Sequence, residues 1–256
     1  MQDEQGGRGY DYDSHGHTYA THRQTDPHIA EVIRNALSDA KTVLNVGAGT
    51  GSYEPEDRYV VAVEPSRVMR SQRIERGRAP AIDARAEALP FDDDAFEAAT
   101  AFITLHHWTD QRRGIKELRR VARGPVLIMT FDPDCDGDFW LDEYFPEMLR
   151  RERRRYPSLE WIAETVGDRV RVIPITIPFF CRDGFLEAFY GRPEAFLDPT
   201  IRRDQSAWAL VTEQMVKAGV ERLREDLESG GWDRRYGFYR SMPFFEGALR
   251  LVVSEP

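Results

Sequence analysis

The sequence predicts an α/β fold: a doubly wound, Rossmann-like sheet of seven mostly parallel strands, with a helical insertion before the last strand. Three observations predict it. Short apolar runs alternate with helical segments between residues 42 and 132, which implies parallel pairing through right-handed crossovers. A glycine-rich turn, in VLNVGAGTGSY (43–53), follows the first run directly. Two late apolar runs, RVRVIPITIP (169–178) and GALRLVVSE (247–255), are separated by a stretch too long for an ordinary connection.

Residues 1–16 are rich in Gly and Asp without an apolar period and read as a tail, leaving 17–256 as one domain. A helix starts after Asp26, the expected N-cap, with Pro27 in its first position and Ile29, Val32, Ile33 and Leu37 at helical spacing. TVLNVG is a buried strand, and YVVAVE (59–64) is a second that ends in an acid. PSRVMRSQRIERG forms a polar helix closed by Gly77, and APAIDARAEALPF supplies a further strand with a proline turn. EAATAFITLHH (97–107) and GPVLIMTFD (124–132) are strands on either side of the helix DQRRGIKELRRVAR. The late runs close one sheet edge, and residues 179–246 arch over the ligand side as a lid. Within that insertion Trp208, Val211, Met215, Gly219, Leu223 and Leu227 form an apolar stripe ended by Gly230-Gly231.

Composition narrows the function classes. Hydrophobic residues at 41% and charged residues at 31% describe an ordinary globular chain. No apolar run approaches the ~20 residues of a membrane span, and the polar start lacks the pattern of a signal peptide, so a cytoplasmic location is expected. A net charge of −9 disfavours a surface that tracks nucleic-acid phosphates. The run RRERRR (150–155) sits in a helical stretch and reads as a solvated face. Cys135 and Cys181 have neither metal-ligand nor redox spacing and read as free thiols; no metal site is expected. Nothing specifies more than a monomer or homodimer.

The glycine turn fits phosphate poorly. Gly47, Gly49 and Gly51 depart from the dinucleotide pattern, whose sixth position is Ser52 here, and no Walker lysine follows. A phosphate-free nucleoside fits better: Gly47 and Gly49 allow close backbone approach, and Glu64 at the second strand's end is placed for both ribose hydroxyls. The acidic surroundings also suit a cationic ligand such as the sulfonium of S-adenosylmethionine.

On these segments, VLNVGAGTGSY, VVAVEPSRVM, RAEALPFDDDAFEAATAFITLHHW and KELRRVARGPVLIMTF, the chain resembles the class I S-adenosylmethionine-dependent methyltransferases of the small-molecule branch. It is similar to the ubiquinone/menaquinone-biosynthesis type. The resemblance covers residues 42–131, with a weaker match over Tyr19–Arg23 and the closing strands. It implies that Gly47, Ala48, Gly49 and Gly51 contact the methionine part, Glu64 the ribose, and Pro65, Ser66 and Met69 the adenine surroundings. Ala86 and Glu87 flank the adenine edge, Ala101 and Phe102 lie under the sulfonium, and Arg23 clasps the methionine carboxylate with Tyr19 as a shield. The family usually has Asp where this chain has Asn45, and often Asp where it has Arg85.

Methyl transfer asks mainly for alignment and exclusion of water. Where a base is needed, His106 and His107 stand at the end of the fourth strand, with a turn-shaping role as the alternative. Trp140, Tyr144, Phe185, Phe189 and Tyr190, with Asp132 or Asp183, are candidates for an apolar acceptor pocket. The expected function is therefore S-adenosylmethionine-dependent O- or N-methylation of a small molecule. The competing readings are a non-catalytic S-adenosylmethionine-binding partner subunit and, on the arginine run alone, a tRNA or protein methyltransferase.

Overall fold

The computed structural model describes residues 23–135, 139–167 and 169–256; the expected tail and Tyr19 lie outside them. The described chain starts with helix α1 (Pro27–Ala36), and the Asp26 carboxylate accepts the His28 and Ile29 amides as its cap. The second oxygen of Asp26 accepts the Arg182 amide, so the same residue ties the helix to the insertion.

Strands β1 (Thr42–Val46), β2 (Tyr59–Val63), β3 (Ala98–Phe102) and β4 (Val126–Phe131) pair in parallel, in the order β2-β1-β3-β4. Helix α2 (Arg67–Glu75) connects β2 towards β3, and α3 (Gln111–Val121) connects β3 to β4. Strand β5 (Arg169–Pro174) and the last strand, Leu249–Glu255, complete the sheet in antiparallel fashion, the last strand lying between β4 and β5. Its apolar residues alternate between the two faces, and Leu251 and Val253 pack in one core layer while Val252 packs in the other.

The sheet has six strands, one fewer than the sequence pattern predicts. The missing one is APAIDARAEALPF, of which only Ile82 bridges to Val63. Ile82 makes two ladder bonds, donating to Ala62 and accepting from Glu64. Pro80 cannot donate, and Ala and Asp on either side favour strand weakly, so pairing does not propagate.

Between β4 and β5 the chain forms α4 (Leu141–Tyr144), α5 (Pro146–Arg153) and α6 (Leu159–Val166), divided by Pro146 and Pro157. Arg150 and Arg151 pair with Glu147, Arg153 with Asp142 and Arg155 with Glu152, so all of the run's arginines but Arg154 are matched by carboxylates of their own neighbourhood. The insertion hangs from a two-stranded ribbon, β6 (Ile177–Pro178) with β7 (Phe244–Phe245), which precedes β8, the last strand. It contains α7 (Pro199–Arg203), α8 (Glu213–Glu228), α9 (Gly231–Tyr236) and several single-turn helices. The expected stripe is split: Trp208 precedes α8, while Gly219 and Leu223 are buried within it and Met215 is exposed. Gly219 is required there, because a Cβ would lie 2.3 Å from the Phe145 ring.

A buried ion pair lies under the glycine turn. Arg73 of α2 meets Glu54 through two parallel bonds of 2.7 and 2.8 Å, with side chains 1% and 3% exposed. Asn45 donates to the same carboxylate at 2.9 Å. Replacing one partner strands a charge in the core, so Arg73→Met should destabilise the protein by about 3–5 kcal/mol in urea unfolding. Combining it with Glu54→Gln should recover part of that loss; equal stability of Arg73→Met and the wild type would refute the assignment.

Candidate functional site

A cleft of about 480 Å³ opens over the carboxyl ends of β1, β2 and β3, where ligands of open α/β sheets bind. Its size is that of a small-molecule site, about 300–1,000 Å³ in typical proteins. Of the residues predicted from the sequence, Arg23, Gly47, Ala48, Gly49, Glu64, Pro65, Ser66, Met69, Ala86, Glu87, Phe102 and His107 line it.

The glycines differ in purpose. A Cβ on Gly47 would lie 2.1 Å from Thr104 Oγ1, so the close approach there comes from the chain's own β3 loop. Gly49 has φ +51° and nothing within 4 Å of where its Cβ would be; it faces open space in the cleft. Gly51 is outside the lining, and a Cβ on it would strike Arg73 at 2.9 Å, so its absence makes room for the buried ion pair. Ala101 is also outside, fully buried beneath the sheet surface.

Glu64 sits at the crest of β2, and both of its oxygens are engaged by backbone. Oε2 accepts the Gly49 amide and Oε1 the Ser66 amide, each at 2.8 Å. The carboxylate thus fixes the turn and the start of α2 together. Glu87 reaches the cleft, but its Oε1 accepts the Thr109 and Asp110 amides ahead of α3. Asn45, the departure from the family pattern, is buried at the cleft floor, its Oδ1 accepting from Thr100 and its amide held by Glu54.

At the opposite wall the insertion enters the site. Asp183 pairs with Arg23 and accepts the Tyr53 hydroxyl at 2.9 Å. Burial, with the neighbouring Asp183 next, raises the Tyr53 phenol well above its ordinary range and keeps it a donor. Asp183 therefore belongs to this cleft and not to the apolar pocket.

A second, narrower cavity of about 100 Å³ adjoins the cleft, and Arg23 and Ile103 line both. Phe131, Phe139, Tyr156, Phe185 and Phe245 give it an aromatic wall, and Asp132, Glu152 and Glu187 bring carboxylates. Among the aromatics expected to line it, Phe185 does. Trp140, Tyr144, Phe189 and Tyr190 are buried in the core instead. There the indole of Trp140 donates to the Tyr190 carbonyl and the Tyr144 hydroxyl to Asp226, each at 2.7 Å. Sequence reasoning passed over Glu187 and Thr104; the signal for the first was a single acid set among aromatics in GFLEAFYG.

His106 faces the narrow cavity and His107 the cleft. Their rings lie 3.9 Å apart, and Arg155 Nη2 stands 3.4 Å from His107 Nδ1. Burial, followed by Arg155 and Arg23, lowers His107 to about 3. Burial, then His107, Arg155 and Arg23, holds His106 well below its ordinary value. Both imidazoles are uncharged at neutral pH.

Residues 44–128 match the family described as a methyltransferase domain. The chain is 33% identical over 142 residues to a demethylmenaquinone methyltransferase of Mycolicibacterium gilvum, covering 51% of this chain and 62% of that protein. It is 28% identical over 248 residues to a malonyl-[acyl-carrier protein] O-methyltransferase of Halorhodospira halophila, covering 91% and 75%. The structure of a putative methyltransferase from an antibiotic biosynthesis pathway of Anabaena variabilis superposes with a TM-score of 0.84 at 29% identity, covering 91% of this chain and 99% of that one. The chain spans about a third to a half of the length of the curated relatives it matches first. The sheet order, the crest carboxylate bound to the glycine turn and these likenesses agree, and residues 44–128 form a methyltransferase domain.

Proposed function

We propose that the protein transfers a methyl group from S-adenosylmethionine, held in the wide cleft, to a small-molecule acceptor held in the narrow aromatic cavity. The observation that carries this reading is the meeting of the two cavities at Arg23 and Ile103, with His106 on one side and His107 on the other. A methyl donor and its acceptor need two such adjoining sites, one polar and one mainly apolar.

The residues present fit the nucleoside. Gly49 leaves the cleft open where a side chain would project, and no Walker lysine is present in the turn. Glu64, fixed by two amides, would hold the ribose; Gly47, Ala48 and Gly49 would border the methionine part. Pro65, Ser66 and Met69 would surround the adenine, with Ala86 and Glu87 at its edge and Phe102 beneath the sulfonium. Arg23 and Asp183 would face the amino-acid end as a charge pair. Bound S-adenosylmethionine supplies an activated methyl on a positively charged sulfur. The chain's own work is to orient the acceptor, keep water out beneath the insertion and receive a proton.

Two features weigh against a nucleic-acid acceptor: the net charge of −9 and the pairing of the arginine run with carboxylates. A metabolite hydroxyl or amine suits the small cavity better, and O- or N-methylation is the chemistry proposed. We assign the His pair to the wall between the two sites. An imidazole whose conjugate acid is this weak holds a proton poorly, and protonation would place a cation beside Arg155 and Arg23.

Calorimetric titration tests the donor assignment: S-adenosylmethionine and S-adenosylhomocysteine should bind and NAD should not. Glu64→Gln should weaken both nucleosides by about 1.5–3 kcal/mol, the range for losing hydrogen bonds to a charged group. NAD binding instead would overturn the reading. Turnover of a labelled methyl donor against a panel of hydroxy and amino compounds separates catalysis from mere binding.

The His pair yields a stability prediction with a definite sign. The unfolded chain protonates His107 near pH 6.5, and the folded protein only near 3. Between those values the unfolded state binds more protons, so stability from this group is full above about pH 6.5 and declines as pH falls towards 3. Urea unfolding across that window should show a shallower decline in His107→Gln than in the wild type; parallel curves would contradict the burial assigned to it.

A further inference from the structure

Glu187 belongs to a single-turn helix of the insertion, Leu186–Phe189, and its carboxylate lines the narrow cavity. Its seat is built by the residues just ahead of the last strand. The Ala248 amide donates to both of its oxygens, at 2.9 and 3.1 Å. A Cβ on Gly247 would lie 2.5 Å from one oxygen and 2.6 Å from the carboxyl carbon, so that glycine is what leaves room for the group. Among the described residues no side chain donates a hydrogen bond to it: Arg153 bonds to Asp142, and Arg250 bonds to the Gly247 and Leu249 carbonyls.

We propose that Glu187 is the proton acceptor of the reaction, and that the cavity takes a flat apolar molecule presenting an O–H or N–H to this carboxylate. The inference rests on the reading of the narrow cavity as the acceptor site. A carboxylate held by one amide keeps lone pairs for another donor, and the aromatic wall formed by Phe131, Phe139, Tyr156, Phe185 and Phe245 suits a planar ring.

The electrostatics agree. Burial raises the Glu187 carboxyl to about 7, against the pull of the Ala248 amide, Arg250 of β8 and Arg153 of α5. A group poised near neutrality both exists as a base and keeps the proton it receives, whereas the neighbouring imidazoles are held far below that range. The other titratable or charged groups of the lining are Asp132, Glu152, His106, Cys135, Tyr156, Arg23 and Arg153, and Glu152 is already engaged by Arg155 and the Tyr156 hydroxyl. The step balances. The acceptor's lone pair forms the bond to the methyl carbon, the carbon–sulfur pair returns to sulfur, and the acceptor's proton passes to a Glu187 oxygen. A carboxylate and a sulfonium give way to a neutral acid and a neutral thioether.

The test uses the full chain loaded with S-adenosylhomocysteine. 4-Methylphenol and its methyl ether, 4-methylanisole, serve as probes with and without the proton to donate, and 4-methylaniline is the N–H counterpart. Calorimetry should show that Glu187→Gln weakens 4-methylphenol or 4-methylaniline about tenfold or more, while 4-methylanisole and S-adenosylhomocysteine change by less than about twofold. Gly247→Ala, which displaces the carboxylate and keeps its charge, should weaken the same probes. In carboxyl-¹³C-glutamate-labelled protein, the resonance lost in Glu187→Gln should titrate near neutral pH in the wild type and shift its midpoint when the protic probe binds. Equal loss for the ether and the protic probes, a carboxyl resonance indifferent to the probe, or no probe binding by the wild type would each overturn the proposal. Failure of S-adenosylhomocysteine to bind would instead overturn the donor assignment, a separate outcome.

Discussion

The buried pair of Glu54 and Arg73 organises the carboxyl end of the sheet. An ion pair with both side chains almost fully enclosed is tolerated only with good geometry and satisfied remaining donors. Here the guanidinium bonds in parallel to the carboxylate, and Asn45 supplies another donor from β1. The pair joins α2 to the turn that follows β1, and Gly51 is bare because a side chain would intrude on it. Where the family commonly has an aspartate, a neutral amide at Asn45 avoids setting a second carboxylate against Glu54. Helix, turn and strand are thereby locked at one height, and Glu64 can bind both the turn and the start of α2 from above.

Charge is distributed unequally between the two cavities. In the wide cleft the anions are engaged: Glu64 by two amides, and Asp183 by Arg23 and Tyr53. In the narrow cavity Glu187 is bound by one backbone amide, beside an aromatic wall and with Arg153 and Arg250 acting on it electrostatically. The histidines between them are kept neutral by burial and two nearby arginines, so the charge at the boundary is that of Arg23, which Asp183 pairs.

Much of the fold around the wide cleft was legible in the sequence, because it is local. Strand, glycine turn, acid-ended strand and helix follow one another within residues 42–131, and each leaves its period and punctuation in the chain. The position of Glu64 at the end of β2 was legible for the same reason. What the sequence concealed depends on contacts between distant segments. The purpose of Gly47 is set by Thr104 on another strand's loop, and that of Gly247 by Glu187 in the insertion. Trp140 and Tyr190 looked like pocket aromatics, yet both are buried in the core, where the Trp140 indole donates to the Tyr190 carbonyl, a link across the chain that no periodicity reveals. The lost strand at Ile82 is a local matter: Pro80 cannot donate to a ladder, and only a single bridge forms.

The insertion leaves and rejoins the domain through a ribbon only two residues long on each side, Ile177–Pro178 beside Phe244–Phe245. Because its two ends are neighbours, the intervening segment closes on itself without setting the spacing of β5 and β8, which pair with each other on their own register. Under the reading proposed above, an ancestral sheet could keep its nucleoside grip unchanged while this detachable cap was exchanged or lengthened. Selectivity for the second reactant is then free to evolve separately from affinity for the first.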